Sequence, residues 1–301
     1  MKCLVIYSPF SKKGKFIKYK STILSVLKDN YSQIDFVQTK HSGHATEIAK
    51  NSKGYDMLLV AGGDGLLNEV VSGIVELNIV PKIAFLPSGT VNDSARSLKI
   101  PMNLKGALKV AVNGIPFKTD IIKYNENYCF YVLLLGYCAK SVYTTSNIAK
   151  RFLGWFAYFF KGIKSFFSHN RMHLKIKIEN EQEIEDYYSF VLMFNSHSVA
   201  GFPVNKDAIL DDGYIDLIMV KDYGKGVINW FKNTLNVLRL FVLGIEKLKQ
   251  NKFVTIKKVK KVEITNYDNN PFNVDGNYGG DGNIQLSVLK QAVEIMVNKK
   301  K

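Results

Sequence analysis

The feature that most constrains this chain is an alternation that runs through its first hundred residues. Leu4-Val5-Ile6-Tyr7 leads into an amphipathic stretch over 16–27. A run over 34–38, a helical pattern from about Ala45 and the apolar run Met57-Leu58-Leu59-Val60-Ala61 follow. Helical periodicity over 66–75, a strand over 82–86 and a helix from about Asn92 complete the series. Near-continuous apolar strands separated by helices imply a parallel sheet covered on both faces, because neither side of such a strand tolerates water. The spacing predicts a doubly wound α/β domain. Ligands of these sheets sit beyond the carboxyl ends of the strands, so a site belongs in the loops after Tyr7, Gln38, Ala61 and Leu86.

From near Asp120 the period changes to two, as in Leu174-Lys175-Ile176-Lys177-Ile178-Glu179, where apolar and charged residues take opposite faces. Similar runs occupy 128–135, 188–194, 214–220, 253–264, 283–288 and 292–297. The predicted organisation is an α/β domain over 1–119 followed by an antiparallel β-rich domain over 120–288, with no internal repeat.

Composition narrows the function classes. The 301 residues are 47% hydrophobic and 22% charged, which excludes a disordered chain or a collagen-like repeat. Three cysteines (Cys3, Cys129, Cys138), no metal-ligand spacing and no signal-peptide pattern at the start point to a reducing cytoplasm. The 41 basic and 26 acidic side chains leave +15, which favours an anionic partner. Lys257-Lys258-Val259-Lys260-Lys261 alternates as a solvated strand face does and no recognition motif accompanies it, so nucleic acid is not expected. No apolar run reaches the roughly 18 residues of a membrane-spanning helix.

The chemistry-bearing segments fall on the loops singled out above. Gly62-Gly63-Asp64-Gly65-Leu66-Leu67-Asn68-Glu69 joins a strand to a helix, where glycines admit close backbone approach and the helix N-terminus offers N–H groups to phosphate. Asp64 would repel a phosphate unless Mg²⁺ bridged them. Pro87-Ser88-Gly89-Thr90-Val91-Asn92-Asp93 gives the next strand a hydroxylic turn with a helix cap. Ser8-Pro9-Phe10-Ser11-Lys12 and Thr39-Lys40-His41-Ser42-Gly43 supply further hydroxyls and cations. Together they describe a cradle for a phosphate-rich ligand.

These segments, with Leu210-Asp211-Asp212-Gly213-Tyr214 and Asn273-Val274-Asp275-Gly276-Asn277-Tyr278-Gly279-Gly280, resemble in order the motifs of the diacylglycerol kinase catalytic-domain family, in particular its soluble bacterial lipid kinases. Sphingosine kinases and NAD kinases are more distantly similar. The resemblance implies an α/β nucleotide domain completed by about 289–301, a β-sandwich lipid domain, and an active site in the cleft between them. It implies ATP and Mg²⁺ as cofactors, with nucleotide contacts from Ser8, Pro9, Ser11, Lys12, Thr39, Gly62, Gly63, Asp64, Gly65, Asn68, Glu69, Ser88, Gly89, Thr90 and Asn92. Asp64 and Asp93 would stand near magnesium and phosphates, and Asp212 would hold a structural Mg²⁺ with the carbonyls of Ile209 and Tyr214. A lipid substrate and an anionic membrane surface are the implied partners, at a cytoplasmic, peripherally membrane-associated location, and a homodimer is compatible with it.

The chain departs from the family pattern at four places. Ser8 stands where the family has asparagine, Lys12 where it has glycine, and Leu66 where it has a threonine hydroxyl. Asn277 stands where it has the glutamate that serves as general base toward the lipid hydroxyl, and a neutral amide cannot take that proton. Asp275, Asp281 and Asp93 are the carboxylates that remain open for the role. A catalytically impaired nucleotide- and lipid-binding protein and a soluble NAD-kinase-like enzyme are the alternatives to an active lipid kinase. The aromatic and cationic stretch over 150–167 and the basic apolar helix over 230–249 read equally as interfacial or core helices.

Overall fold

The buried apolar strands assemble into the sheet that their composition demands. The structure, a computed structural model, describes residues 1–14, 16–77, 79–136, 171–248 and 250–299. The chain divides into two compact units, Met1–Ile121 with Gln291–Lys301, and Ile122–Lys290. In the first unit, β1 (Lys2–Tyr7), β2 (Gln33–Gln38), β3 (Met57–Gly62) and β4 (Lys82–Pro87) lie parallel in the order β2-β1-β3-β4. The far end of β17 (Ile284–Val297) joins β4 in parallel, with Ile295 opposite Ile83. Strand order reverses its direction between β1 and β3, the switch point where ligands of such sheets collect.

Two 3-10 turns, Ser11–Gly14 and Phe16–Tyr19, precede α1 (Lys20–Leu27), so only the second half of the amphipathic stretch is α-helical. The remaining helices are α2 (His44–Lys50), α3 (Asp64–Ile74), α4 (Asp93–Ser97) and α5 (Leu104–Asn113). On α3, Leu67, Val70, Val71 and Ile74 are buried at helical spacing, which fixes the face turned to the core. Helix α2 packs on α3 and α1 on α5. The α2–α3 crossing is close because Gly73 has no side chain: a Cβ there would meet Ala49 Cβ and the Thr46 carbonyl at 2.6 Å.

β5 (Ile115–Tyr124) and β17 each run from one unit into the other. The second unit is an antiparallel structure of β6 (Asn127–Cys129), β7 (Val132–Gly136), β8 (Met172–Ile178), β9 (Ile184–Phe194), β10 (Ser198–Val199), β11 (Phe202–Pro203) and β12 (Ile215–Lys221). Helix α6 (Val227–Leu243) leads to β13 (Val254–Val259), β14 (Lys261–Asn266), β15 (Pro271–Val274) and β16 (Asn277–Asp281). The long β9 pairs with β8 through its first half, with β7 through its second, and with β12 along its other edge. Leu133, Leu135, Leu174, Ile176, Tyr188, Met193, Leu217 and Phe272 belong to one core cluster of this unit. The period-two stretch of β8 alternates buried and half-buried residues along its whole length, as the sequence predicts.

Several expected elements differ. The run over 253–264 is two strands, because the chain changes partners at Lys260: β13 pairs with β12, and β14 with β8 and β17. Alternation persists through such a change and cannot reveal it. The runs at 283–288 and 292–297 are one strand, β17, and the run at 128–135 is broken between β6 and β7. The stretch over 150–167 and Cys138 lie outside the described residues. Among the described residues no helix is long and apolar enough to cross a membrane.

Candidate active site

At the carboxyl edge of the parallel sheet the loops are tied sideways to one another. The Ser8 N–H and Ser11 hydroxyl both donate to the Ala61 carbonyl, at 3.3 and 2.5 Å, binding the β1 loop to the end of β3 across the switch point. Thr39 N–H donates to Tyr7 O at 2.9 Å and Ser88 N–H to Gly62 O at 2.7 Å. Ser11 and Thr39 are buried, whereas Pro9 and Thr90 are exposed. The side chain of Lys12 lies outside what the structure describes.

Two glycines bring the β3 and β4 loops into backbone contact. A Cβ on Gly89 would lie 2.6 Å from Gly63 Cα and 2.8 Å from Asn92 Oδ1. Asn92 secures this turn: it stands at φ 55° just before α4 without capping it, its side-chain carbonyl oxygen accepts from Gly89 N–H and its amide donates to Gly89 O, both at 2.9 Å. Gly62 is required for a separate reason, since a Cβ there would meet Leu66 Cδ2 at 2.5 Å. The leucine that replaces the family's threonine thus closes over the first glycine.

Asp64 has a positioning task that sequence alone does not show. Its carboxylate accepts the backbone N–H groups of Asp93 and Ser94, at 3.1 and 3.0 Å, and so caps α4 from α3. Burial raises its pKa above the ordinary carboxylate value, while the Ser94 hydroxyl and the backbone N–H donors of Ser94, Asp93 and Asn92 pull it back. Glu69 likewise caps α2, accepting from Ala45 N–H at 3.2 Å and the Ser42 hydroxyl at 3.4 Å. Asp93 is fully buried. Gly63 begins α3 without a side-chain cap, and Asp64 and Gly65 form its first turn. Around these loops the buried Ser88 Oγ and Asn68 Oδ1 have no hydrogen-bond partner. A turn without Cβ atoms, an uncapped helix start and the open Ser88 hydroxyl fit a polyanionic nucleotide.

In the second unit, the acidic turn is already neutralised. Asp212 accepts Tyr214 N–H at 3.0 Å and pairs with the Lys258 ammonium at 2.8 Å, with Gly213 at φ 84° completing the turn. Ile209 is half exposed, and among the described residues no group of three His, Cys, Asp or Glu could hold a metal. The Asp212 carboxylate, with the carbonyls of Ile209 and Tyr214, would be the oxygen donors that hold the structural Mg²⁺ the resemblance implies, in place of the Lys258 pairing.

Asp275 and Gly276, at φ 48° and 84°, form the two-residue turn between β15 and β16, with Asn277 opposite Val274. The Asp275 carboxylate accepts from the N–H groups of Phe130, Tyr131 and Val132 at 2.7, 3.0 and 2.9 Å, and from the Cys129 thiol at 3.3 Å. Burial pushes its pKa up to about 6 against these donors. Asn277 is exposed as the first residue after the turn. A bulge at Gly279 puts Tyr278 and Asp281, opposite Asn273 and Pro271, on the other face of the strand, where the Tyr278 hydroxyl donates to Asp281 at 2.5 Å. Of the carboxylates open for the base, Asp275 and Asp93 are buried and Asp281 faces away from Asn277.

Residues 2–124 match the diacylglycerol kinase catalytic domain. A diacylglycerol kinase of Staphylococcus carnosus (strain TM300) is 34% identical over 298 residues, 98% of this chain and 94% of the relative. One of Staphylococcus aureus (strain MRSA252) is 34% identical over 279 residues, 92% of this chain and 86% of its own. The crystal structure of a diacylglycerol kinase from Bacillus anthracis str. Sterne superposes with a TM-score of 0.74 at 22% identity, covering 99% of this chain and 97% of that one. An NAD kinase from Archaeoglobus fulgidus in complex with ATP gives 0.52 at 12% identity, covering 100% and 95%. The two structures establish a shared fold, and the curated relatives, matched over nearly the whole chain, establish the rest: this chain belongs to the diacylglycerol kinase family.

Proposed function

We propose that this chain is an ATP-dependent lipid kinase, which transfers the γ-phosphoryl group to the hydroxyl of a diacylglycerol-like lipid. The observation that carries the reading is the open Ser88 hydroxyl beside the Gly63–Gly89 contact, at the carboxyl edge of a parallel sheet. Bound ATP with its Mg²⁺ supplies the electrophilic phosphorus. The chain's part is to hold and orient. The first-turn N–H groups of α3 and the hydroxyls of Ser88 and Thr90 receive phosphate oxygens, and Asp64 keeps α4 in register with α3. Asn277 accepts a hydrogen bond from the lipid hydroxyl and aligns it without taking its proton; as the new O–P bond forms and the bond from Pγ to the β-phosphate oxygen breaks, ADP leaves and the proton passes to a phosphate oxygen and on to water. Phosphoryl transfer depends mainly on positioning and electrostatics, so turnover persists, slowed by about 10²- to 10⁴-fold for want of a base.

The test is ATP-dependent phosphate incorporation into diacylglycerol in mixed micelles, comparing the native chain with Asp64→Asn. Label that falls by about 10²-fold or more in the variant supports the kinase. ATP binding with no label in any lipid overturns it in favour of a second reading, a nucleotide- and lipid-binding family member, which Asn277 favours. Under the kinase reading Asn277→Glu raises turnover by about tenfold or more.

A further inference from the structure

Helix α6 is inside out for a helix that faces water. Three of its five buried residues are polar, Asn233, Thr234 and Asn236, beside the apolar Val237 and Leu240. Asn233 accepts Tyr223 N–H at 3.1 Å and donates its amide to the Asp222 carboxylate, and the Asn236 amide donates to the Tyr223 hydroxyl at 3.1 Å. Its outer side carries Ile228, Phe231, Leu238 and Val242, exposed by 73, 60, 39 and 70%. The intervals of three, seven and four residues place these four on one stripe. Ile228, Phe231 and Val242 are mostly open, and Leu238 is partly covered. Phe241, by contrast, turns inward to stack edge-on against Phe190 and Phe202.

The charges around the stripe indicate what covers it. Lys225, Lys232, Arg239 and Lys247 are exposed on the helix and its flanks. Glu246 is the one acidic residue over 225–248, and it is engaged, accepting the Lys206 N–H at 2.8 Å. A second copy of the chain docked about a two-fold axis would set cations against cations. An anionic bilayer takes the apolar side chains into its acyl boundary and the ammonium and guanidinium groups at its headgroups. We propose that α6 lies flat on an anionic lipid surface through Ile228, Phe231, Leu238 and Val242, flanked by Lys225, Lys232 and Arg239, and thereby holds the second unit at the membrane. The choice of a bilayer as occupant rests on the lipid-kinase reading, but its test does not require catalysis.

The experiment is co-sedimentation of the full chain with vesicles containing about one-third phosphatidylglycerol in phosphatidylcholine, and with phosphatidylcholine alone. The native chain is expected to bind the anionic vesicles and to release them in high salt. The double variant Ile228→Ser/Phe231→Ser and the charge reversal Lys232→Glu/Arg239→Glu are each expected to weaken binding by about tenfold or more, while Phe231→Leu stays within about twofold. Equal binding by the native chain and both double variants overturns the proposal. So does a native dimer that Ile228→Ser/Phe231→Ser converts to monomer, which makes the face an interface between copies. A fall of about 5 °C or more in the melting temperature of that variant also overturns it, because the stripe is then covered by the chain itself. Vesicle binding that depends on α6 in a chain without kinase activity in micelles overturns the kinase reading alone.

Discussion

The Gly89 loop of the first unit and the Asp275 hairpin of the second are built from the same materials, glycine, aspartate and backbone N–H groups, and end in opposite states. Near Gly89, Ser88 Oγ and Asn68 Oδ1 are buried without partners. In the hairpin one carboxylate is saturated by three N–H groups and a thiol. An unpartnered buried polar group costs about 1–3 kcal/mol, which a ligand that completes it offsets. A saturated carboxylate is architecture: Asp275 fixes where Asn277 stands, whereas under the kinase reading the Gly89 loop receives.

The comparison breaks most sharply at Asp275. Asp275→Ala orphans three buried N–H groups and is expected to lower stability by about 3–5 kcal/mol, read by urea unfolding. A small loss would mean that the carboxylate holds nothing together. The same residue gives a pH signature. Its pKa of about 6 lies above the ordinary 3.8, so between those values the folded chain binds more protons than the unfolded one. Stability is greatest below about 4 on this account and falls by about 2–3 kcal/mol as pH rises through 6, a slope that Asp275→Asn should flatten in thermal melts. Gly89→Val comes next. The new side chain strikes Gly63 Cα and Asn92, costing about 1–3 kcal/mol and abolishing nucleotide binding measured by calorimetry. The smallest effect has opposite signs for its two readouts. Ser88→Ala removes a polar atom that has no partner, so stability is unchanged or rises by up to about 1 kcal/mol, while ATP binding weakens by about 1 kcal/mol. A loss of stability there would erase the distinction between the two regions.

Local features were legible in the sequence, and long-range polar partnerships were not. The strand-to-helix junction at Gly62–Asp64 and the hydroxylic turn at Ser88–Asn92 follow from residue types within a few positions, and the structure brings both loops together. The cap that Asp64 places on α4 spans 29 residues, and the bond from Phe130 to Asp275 spans 145. No periodicity encodes which distant N–H group a carboxylate will find. The break at Lys260 escaped for a related reason, since a strand that changes partners keeps its alternation. Helix α6 had a detectable signal: asparagines at 233 and 236 sit among apolar residues, and asking which face they take would have shown its reversed polarity.

β17 places a condition on the order of events during synthesis. Its last residues complete the sheet of the first unit beside β4, so a nascent chain emerging from the ribosome has β4 without that neighbour until synthesis has passed Ile295. Contacts of this sequence separation form late and slowly, and an unpaired strand edge invites association meanwhile. A fragment ending at Ile121 would therefore behave as an arrested intermediate, and addition of a peptide carrying residues 284–297 in trans is the way to release it.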